Sequence, residues 1–272
     1  MANSCADLKV SSLKGKVTLI TGASSGIGAG AAVLFAKLGA LLVLNGRNVE
    51  NLKKVAEECA ECGGGTEPLL VPGDLTDEDT VKKMVEDVIV RFGQLDVLVN
   101  NAGILAFGGI QTSDLATYDR IMNVNVRSVY HLTQLCVPQL IKTKGCIVNV
   151  SSVAGQRSSA IALAYCMSKS AINHFTCCLA VELAPKQVRV NSVCPGVIVT
   201  EVFKSAGLDD EETVKFFEMC KHSHALGRVG EVDEVAQCIA FLASDAASFI
   251  TGVNLSVDGG YHVQSPGKTE ME

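Results

Sequence analysis

The sequence predicts an α/β fold, a single doubly wound parallel sheet of seven strands with helices on both faces. Short apolar runs rich in Val, Ile and Leu alternate with longer segments of helical periodicity over most of the 272 residues. This alternation is typical of strands that are buried on both faces and joined by helical crossovers. Because no Pro-rich, Ser-rich or charge-biased joint interrupts it, we expect residues 1–272 to form one domain with a core from about 13 to 261.

The first unit consists of a strand, a glycine-rich turn, a helix and a second strand. Residues 17–21 (VTLIT) are apolar and rich in β-branched side chains, which indicates a buried strand. A helix follows to about Lys37, Gly39 supplies its stop signal, and residues 41–45 (LLVLN) form the next strand. A dinucleotide-binding unit requires its elements in this order.

The later elements repeat the alternation. Helices are predicted at about 49–62, 77–92, 115–141, 163–184 and 231–244, and strands at 69–72, 95–99, 146–150, 188–193 and 252–257. Residues 200–227 break the regularity, and long irregular segments in compact domains often close over an active site. We therefore expect a lid there, with a helical pair that caps the sheet as the alternative. The polar residues 265–272 are expected to be disordered.

Charge and composition exclude several classes of partner. The net charge is -6 and no run of Lys and Arg is present, so nucleic acid and anionic membranes have no electrostatic basis as partners. No apolar run is long enough to span a bilayer, and the first residues do not resemble a signal peptide. Eleven cysteines, an odd number, fit reduced thiols better than disulfides, and no Cys or His pattern completes a metal site. We expect a cytoplasmic protein that binds a small molecule and no metal.

Glycines at positions 22, 26 and 28 lie where the first strand ends and the first helix begins. Free amides at a helix N-terminus and the positive end of the helix dipole bind a pyrophosphate, and glycine lets the ligand approach the backbone closely. The spacing is GxxxGxG and differs from the GxGxxG fingerprint, so the argument depends on this mechanism and on the flanking strand and helix. The turn predicts a dinucleotide site, with a simple tight turn as the alternative.

The end of the second strand indicates which dinucleotide binds. A carboxylate about 20 residues beyond the glycines holds the ribose hydroxyls in NAD sites, whereas an arginine accepts the 2′-phosphate of NADP. Here the strand ends at Asn45, Arg47 follows, and no carboxylate precedes Glu50. We therefore expect NADP(H), with NAD(H) as the alternative.

Tyr165 and Lys169 are four residues apart in a predicted helix, which places them on one face, one turn apart. A cation beside a phenol lowers the pKa of the phenol toward the range in which an acid or base catalyst works. Ordinary surface pairs share this spacing, so the pair indicates catalysis only together with the rest of the chain.

Several motifs, in order from about Leu13 to Tyr261, resemble those of the short-chain dehydrogenase/reductase family. They are Thr21–Gly28, Gly73–Leu75, Asn100–Gly103, the set Asn125, Ser152, Tyr165 and Lys169, and Pro195–Gly196 with Ile198 and Thr200. The layout also resembles the 3-oxoacyl reductase branch of that family. The resemblance implies a Rossmann fold and an NAD(P)-dependent enzyme that transfers a hydride between nicotinamide and a carbonyl or secondary alcohol.

The resemblance also implies roles for individual residues. Tyr165 would exchange a proton with the substrate oxygen, which Ser152 would hold. Lys169 would lower the pKa of Tyr165 and bind the nicotinamide ribose, and Asn125 would anchor a water that links Lys169 to solvent. Ser151 adjoins Ser152, but the separation of thirteen positions from Tyr165 favours Ser152. The cofactor would contact Gly22, Ser24, Ser25, Gly26, Ile27, Gly28, Asn45, Arg47, Asp74, Leu75, Asn101, Ala102, Gly103, Tyr165, Lys169, Pro195, Gly196, Ile198 and Thr200.

The substrate stays open at this stage. Phe107 and Phe203, together with Ser152 and Tyr165, are expected to contact it and favour an apolar compound. One alternative is a 3-oxoacyl thioester on a carrier protein or CoA, and another is a steroid, retinoid or xenobiotic ketone. A third is a non-catalytic NADP(H)-binding regulatory protein, which the complete set of catalytic residues disfavours.

Two further expectations concern the histidines and the assembly. His222 and His224 fall in the expected lid, where contact with the substrate is the alternative to a structural role. The resemblance implies a homotetramer that packs through the helices at 115–141 and 163–184.

Overall fold

A computed structural model describes residues 12–264, which form a seven-stranded sheet with helices on both sides. The strands are β1 (Val17–Ile20), β2 (Leu41–Leu44), β3 (Leu69–Leu70), β4 (Val97–Asn100), β5 (Cys146–Val150), β6 (Arg189–Pro195) and β7 (Asn254–Val257). Their order across the sheet is β3-β2-β1-β4-β5-β6-β7, and every neighbouring pair is parallel. The predicted fold class is confirmed.

The helices cover both faces of this sheet. They are α1 (Gly26–Lys37), α2 (Val49–Cys62), α3 (Glu78–Phe92), α4 (Leu115–Met122), α5 (Ser128–Thr143), α6 (Leu163–Leu183), α7 (Val202–Ser205), α8 (Asp210–Lys221) and α9 (Val232–Ala243). A π-helical turn, Asn123–Arg127, joins α4 to α5, and a 3₁₀ turn, Val153–Gly155, follows β5. Within residues 12–264, no helix is long and apolar enough to cross a membrane.

Two apolar layers lie on the two faces of the sheet. Ile20 of β1 packs with Phe35 in the layer of α1, α2 and α9. The preceding residue, Leu19, packs with Leu132 in the layer of α3, α5 and α6. Because consecutive strand residues point to opposite faces and both faces are buried, the strands are apolar at consecutive positions.

The candidate site lies where the strand order reverses, between β1 and β4. Ile20 of β1 pairs with Leu44 of β2 on one side and with Val99 of β4 on the other. The connections that follow β1 and β4 leave the sheet on opposite faces and open a crevice at the carboxyl ends of these strands, where doubly wound sheets bind ligands.

Three segments differ from the sequence-based expectations. The helix predicted over 115–141 is divided by the π-helical turn, and β3, at the edge of the sheet, is reduced to Leu69–Leu70. Residues 200–227 contain the helices α7 and α8, so the alternative of a helical pair describes this segment better than an irregular loop. The predicted disorder of residues 265–272 lies outside the described residues.

Candidate active site

The glycine-rich turn is tied to the end of β4 by one asparagine and one threonine. The Asn101 side-chain amide donates to the main-chain oxygens of Thr21, at 2.8 Å, and Gly22, at 3.2 Å. In return, Thr21 Oγ1 accepts from the amides of Asn101 and Ala102, both at 3.0 Å. These contacts hold the carboxyl ends of β1 and β4 together, so the turn is shaped before any ligand binds.

The glycines of this turn are needed for space as well as for conformation. Gly22 has a φ of 64°, and a Cβ added there would lie 2.9 Å from the Cα of Ala102. A Cβ at Gly28 would lie 2.4 Å from Asn101 Nδ2 and 2.4 Å from Gly22 O. Larger residues at either position would push apart the two strand ends.

The N-terminus of α1 is open to a ligand. Ser25 occupies the N-cap position with extended backbone, but its side chain makes no capping hydrogen bond, and no acidic residue lies in the first turn. The first amides of a helix have no partner within the helix, and together with the helix dipole they attract an anion. The residues present therefore fit a dinucleotide pyrophosphate, which Ser25, Gly26 and Ile27 would hold.

Asn45 and Arg47, which follow β2 and are both predicted to contact the cofactor, have different environments. Asn45 is buried, and its side-chain amide donates to the main-chain oxygens of Val71, at 2.9 Å, and Gly73, at 3.3 Å. Its side chain thus fixes the loop after β3. Arg47 is exposed beside it and forms no ion pair with any residue in the range 12–264.

The loop after β3 places Asp74 and Leu75 differently. Asp74 is exposed, and its Oδ1 accepts hydrogen bonds from the amide and hydroxyl of Thr76 at 2.9 and 2.8 Å. Leu75 is buried and packs into the apolar layer that contains Met84. The Leu75 side chain is therefore committed to the core, and this residue can meet a cofactor only through its main chain.

Lys169 lies under the catalytic candidate Tyr165, on the same face of α6. The Lys169 ammonium is 5.6 Å from the centre of the Tyr165 ring and donates a 3.0 Å hydrogen bond to the main-chain oxygen of Val150 at the end of β5. Lys169 is 5% exposed, and burial lowers the pKa of its ammonium to about 8. The hydrogen bond to Val150 O directs the Lys169 ammonium toward the end of β5, where the ligand crevice lies.

The pKa of Tyr165 differs from the sequence-based expectation. Burial raises the pKa of this phenol to about 12, and its hydrogen bond with the Ser152 side chain offsets the rise only in part. The Lys169 ammonium, which the sequence predicts to lower this pKa, lies 5.6 Å from the ring centre and donates to Val150 O. Tyr165 is therefore protonated at neutral pH, which suits an acid that donates a proton.

The two adjacent serines make different contacts. The Ser151 hydroxyl donates to the main-chain oxygen of Lys169 at 3.1 Å and so fixes α6 to the end of β5. Ser152 caps the following 3₁₀ turn by accepting from the amide of Ala154 at 3.1 Å, and its side chain partly offsets the raised pKa of the Tyr165 phenol. This geometry supports Ser152 as the serine that faces a substrate oxygen.

Asn125 lies in the π-helical turn that the sequence did not predict. Its side chain accepts from the amide of Ile104 at 2.8 Å and donates to Ile104 O at 2.9 Å and to Ser168 Oγ at 3.1 Å. A Cβ added at Gly103 would lie 3.4 Å from both Asn125 Oδ1 and Lys169 Nζ. Asn125 is thus fixed by its side chain close to Lys169, and π turns of this kind are frequent at functional sites.

The segment after β6 meets the glycine turn from the opposite side of the crevice. The amide of Gly196 donates to Val257 O at 3.0 Å, whereas the amide of Ile198 has no hydrogen-bond partner among residues 12–264. A Cβ at Gly26 would approach the Thr200 methyl group to 3.2 Å. Thr200 therefore lies against the N-terminus of α1, and the free amide of Ile198 lies two residues before it. Pro195, Gly196 and Ile198 stay predicted cofactor contacts.

Four phenylalanines of α7, α8 and the loop after β4 form one aromatic cluster. Phe203 of α7 lies 4.9 Å from Phe216 and 5.5 Å from Phe217 of α8, as measured between ring centres. Phe107, in the loop after β4, lies 6.2 Å from Phe216. The helical pair thus reaches across to the loop after β4, and the two predicted substrate residues Phe107 and Phe203 belong to one apolar wall.

The contacts of His224 are those of a buried structural residue. His224 is buried, and its ring accepts from the amide of Val197 at 3.2 Å, so it faces the segment after β6 and not a substrate. Sequence reasoning also missed Tyr261, whose ring is 5.0 Å from His224 and 4.8 Å from the Arg157 guanidinium carbon. No local pattern marks these residues, because they come together only through tertiary packing.

Comparison with known proteins agrees with this geometry. A family model described as Enoyl-(Acyl carrier protein) reductase matches residues 22–262. The chain is 40% identical over 249 residues to 3-oxoacyl-[acyl-carrier-protein] reductase FabG of Thermotoga maritima, across 91% of this chain and 98% of that protein. It is 39% identical over 245 residues to meso-2,3-butanediol dehydrogenase of Serratia marcescens, with 90% and 94% covered, and 40% identical over 247 residues to cyclopentanol dehydrogenase of Comamonas testosteroni, with 90% and 96% covered.

Solved structures give the same result. A short-chain dehydrogenase/reductase of unknown function from Caenorhabditis elegans, determined with cofactor, superimposes with a TM-score of 0.87 at 32% identity, over 93% of this chain and 97% of that one. The parallel sheet and its strand order agree with these matches. The chain belongs to the short-chain dehydrogenase/reductase family and is an NAD(P)-dependent oxidoreductase that acts on a carbonyl or alcohol.

Proposed function

We propose that the protein is an NADP(H)-dependent enzyme that interconverts an apolar ketone and its secondary alcohol through Asn125, Ser152, Tyr165 and Lys169. The observation that carries the proposal is the face of α6 that Tyr165 shares with Lys169, whose buried ammonium lies 5.6 Å from the centre of the Tyr165 ring and donates to Val150 O at the end of β5. A bound nicotinamide supplies or accepts the hydride.

The residues of the chain handle the proton and orient the substrate. Ser152 donates a hydrogen bond to the substrate oxygen and so favours the charge that develops there in the transition state. Tyr165, protonated at neutral pH because burial raises its pKa to about 12, gives its proton to the forming alkoxide. Lys169 supplies positive charge below the phenol and eases the loss of that proton.

Asn125 holds together the elements at the bottom of the site. Both atoms of its side-chain amide are bonded to Ile104, and it also donates to Ser168 of α6, so it holds the loop after β4 against α6. A water held beside Asn125 and Lys169 would return a proton to Tyr165 after each turnover.

NADP(H) is supported by the surroundings of Arg47. The exposed guanidinium follows Gly46, and a Cβ added at Gly46 would lie 3.0 Å from Ser24 Oγ, so Arg47 and the Ser24 hydroxyl flank the same end of the crevice. A guanidinium binds a phosphate through two parallel hydrogen bonds. No carboxylate lies between Asn45 and Glu50 to hold unphosphorylated ribose hydroxyls.

The substrate class is supported by the wall of the crevice. Phe107, Phe203 and Phe216 form one aromatic wall. The loop that carries Phe107 is bonded to the start of α6, the helix of Tyr165, through the amide of Leu163 and the oxygen of Gly108, and this wall favours a compact apolar ketone. The relative from Comamonas testosteroni is a dehydrogenase of cyclopentanol, a compound of this kind.

A 3-oxoacyl thioester is the second candidate, because of the 40% identity to the Thermotoga maritima reductase. A carrier-protein substrate would be favoured by unpaired basic residues at the crevice mouth. Instead, α8 begins with Asp210, Glu211 and Glu212, and Lys204 of α7 is paired with Asp210 at 2.8 Å. The helical pair therefore presents acidic and neutralised groups, which favours a free small molecule.

One screen tests these proposals together. Initial rates would be measured with NADPH and NADH against cycloalkanones, aromatic ketones and 3-oxoacyl thioesters, and with NADP⁺ and NAD⁺ against the corresponding alcohols. We expect turnover of apolar ketones with a clear preference for NADPH. A preference for NADH would contradict the cofactor assignment, faster reduction of carrier-bound thioesters would favour the second candidate, and binding without turnover of any compound would favour a regulatory protein.

A homotetramer and a cytoplasmic location remain proposals. Exposed apolar side chains lie on the helices expected to pack between subunits, with Tyr130 of α5 57% exposed and Val181 of α6 77% exposed. Light scattering coupled to gel filtration would give the mass directly, and a monomeric mass would contradict the proposed assembly.

A further inference from the structure

We propose that His224 is a positioning residue that fixes the backbone at Gly196 and Val197, and through it the amide of Ile198, to the end of helix α8. The inference deepens the proposed function, because it assumes that the segment after β6 receives the nicotinamide end of the cofactor. His224 touches neither Ser152 nor Tyr165, so its role is one of placement.

The hydrogen bonds of His224 define its protonation state. Nδ1 lies 2.7 Å from the main-chain oxygen of Cys220, which can only accept, so Nδ1 carries the proton. Nε2 lies 3.2 Å from the amide of Val197, which can only donate, so Nε2 is the acceptor. The imidazole therefore bridges the last turn of α8 and the segment after β6 as a neutral ring with one donor and one acceptor.

The close approach of this ring depends on a glycine. A Cβ added at Gly196 would lie 2.7 Å from His224 Nε2 and 3.0 Å from the Cα of Asp258. The imidazole thus occupies the space that a side chain at position 196 would take, and His224 is only 3% exposed. Gly196 is needed here because any side chain at this position would collide with the His224 ring and with the backbone of Asp258.

His224 supplies a side-chain bond to the Val197 amide, whereas the bonds on either side of this amide run between main-chain atoms. Gly196 donates to Val257 O at 3.0 Å, and Val197 O accepts from the amide of Gly230 at 2.9 Å. The Val197 amide, between them, is bonded by His224 alone among the described residues. The free Ile198 amide lies in the next peptide plane, whose carbonyl, Val197 O, is bonded to Gly230, so His224 and Gly230 fix the plane before this amide and the plane that contains it.

The other side of the ring reaches the catalytic loop through one aromatic residue. His224 packs against Tyr261 at 5.0 Å between ring centres. The Arg157 guanidinium lies over the Tyr261 ring and donates to its main-chain oxygen at 2.5 Å. Arg157 follows Ser152 in the loop after β5, so His224 links the end of α8, the segment after β6 and, through Tyr261, the loop that contains Ser152.

Three substitutions separate positioning from simple packing. In His224→Gln, the side-chain oxygen can reach the position of Nε2 and keep the bond from the Val197 amide. In His224→Asn, the side-chain nitrogen can reach the position of Nδ1 and keep only the bond to Cys220 O. His224→Leu removes both bonds while keeping a buried apolar side chain. His174→Gln, at an exposed histidine of α6, is the matched control.

The first measurement needs no cofactor. Hydrogen–deuterium exchange of the peptide that contains the Val197 amide would be followed in each variant. We expect protection like that of the unsubstituted protein in His224→Gln and His174→Gln, and faster exchange in His224→Asn and His224→Leu. Equal protection in all variants, or equal loss in Gln and Leu, would overturn the role of Nε2.

The second measurement is NADPH affinity from fluorescence titration, together with KM and kcat. The loss of one neutral hydrogen bond predicts a rise of about two- to tenfold in the Kd and KM for NADPH in His224→Asn and His224→Leu, with rescue in His224→Gln. A fall in kcat alone, or weaker binding in step with lost thermal stability in all three variants, would reduce His224 to a packing residue. If the unsubstituted protein fails to bind NADPH, the proposed function fails, whereas the exchange experiment still decides the contact.

Discussion

The side-chain amide of Asn101 lies against both Gly22 and Gly28 and joins the end of β4 to the glycine-rich turn. It donates to Gly22 O at 3.2 Å, and a Cβ at Gly28 would approach its nitrogen to 2.4 Å. The cofactor turn is thus shaped by a residue about 75 positions away in the chain, which explains why the local glycine pattern alone is a weak predictor.

Gly28→Ala is expected to disrupt this contact. The new methyl group would collide with Asn101 and with Gly22 O, so the turn must open and the amides of α1 must move. We predict a loss of NADPH affinity of at least about tenfold and a free energy of unfolding lower by about 1–3 kcal/mol. Fluorescence titration and chemical denaturation measure the two effects.

Gly64→Ala is the control for this substitution. Gly64 also lies in a turn, but a Cβ there would meet no atom within 4 Å. Its positive φ of 72° predicts a small loss of stability with unchanged NADPH affinity. An equal loss of affinity in both variants would show that the Gly28 effect is not local.

Tyr165→Phe is expected to abolish turnover and keep cofactor binding. The substitution removes the proton donor and keeps the ring that packs above Lys169. We predict a fall in kcat of about 10²–10⁴-fold with NADPH affinity within about twofold of the unsubstituted enzyme. Tyr130→Phe, on the exposed face of α5, should leave both values unchanged, and activity near that of the unsubstituted enzyme in Tyr165→Phe would reject the assignment.

Lys169 predicts a specific dependence of stability on pH. Its pKa falls from 10.5 in an unfolded chain to about 8 in the folded protein because burial disfavours the ammonium. The unfolded state therefore binds more protons between these values, so this residue makes the protein more stable as pH rises from about 8 to about 10.5, and this stabilisation is lost as pH falls again through about 8.

The matched variant for this prediction is Lys169→Met. The difference in free energy of unfolding between the unsubstituted protein and Lys169→Met would be measured by urea denaturation at intervals from pH 7 to pH 10. It should shift in favour of the unsubstituted protein as pH rises, by no more than about 3 kcal/mol in total. A difference that stays constant across this range would contradict the lowered pKa.

Arg47→Asp is expected to reverse the cofactor preference. The change removes the guanidinium that would bind a 2′-phosphate and introduces a carboxylate that can accept ribose hydroxyls. We predict that kcat/KM for NADPH falls at least about tenfold while that for NADH rises. Arg91→Gln, at an exposed arginine at the end of α3, should change neither value, and an unchanged preference in Arg47→Asp would locate the discrimination elsewhere.

Phe216→Ala is expected to widen the substrate range. Phe216 contacts both Phe107 and Phe203, so its removal opens the apolar wall between α8 and the loop after β4. KM should rise for cyclopentanone and fall for bulky aromatic ketones. Phe249→Ala, which removes a fully exposed ring, should leave both KM values unchanged. The same substrate profile in both variants would show that the aromatic cluster does not contact the substrate.

Some elements could be predicted almost to the residue, whereas the contacts of individual side chains could not. Helix α2 and strand β5 begin and end where their apolar patterns do, because both patterns are long and clearly bounded. The π turn around Asn125 lies inside an uninterrupted helical pattern, and periodicity does not register one extra residue in a turn. Asn45 stays a predicted cofactor residue, but its position does not reveal that its side-chain amide binds Val71 O and Gly73 O.

The sequence by itself determined the alternation of strands and helices, the glycine turn, and the spacing of Ser152, Tyr165 and Lys169, because these depend on local periodicity and on motifs. Only the tertiary structure decided the environment of those groups. Burial of Tyr165 and Lys169 moves their pKa values to about 12 and about 8, and the ring of His224 meets Val197 from a different helix. Such effects arise from atoms far apart in the chain, and the local pattern around a residue does not contain them.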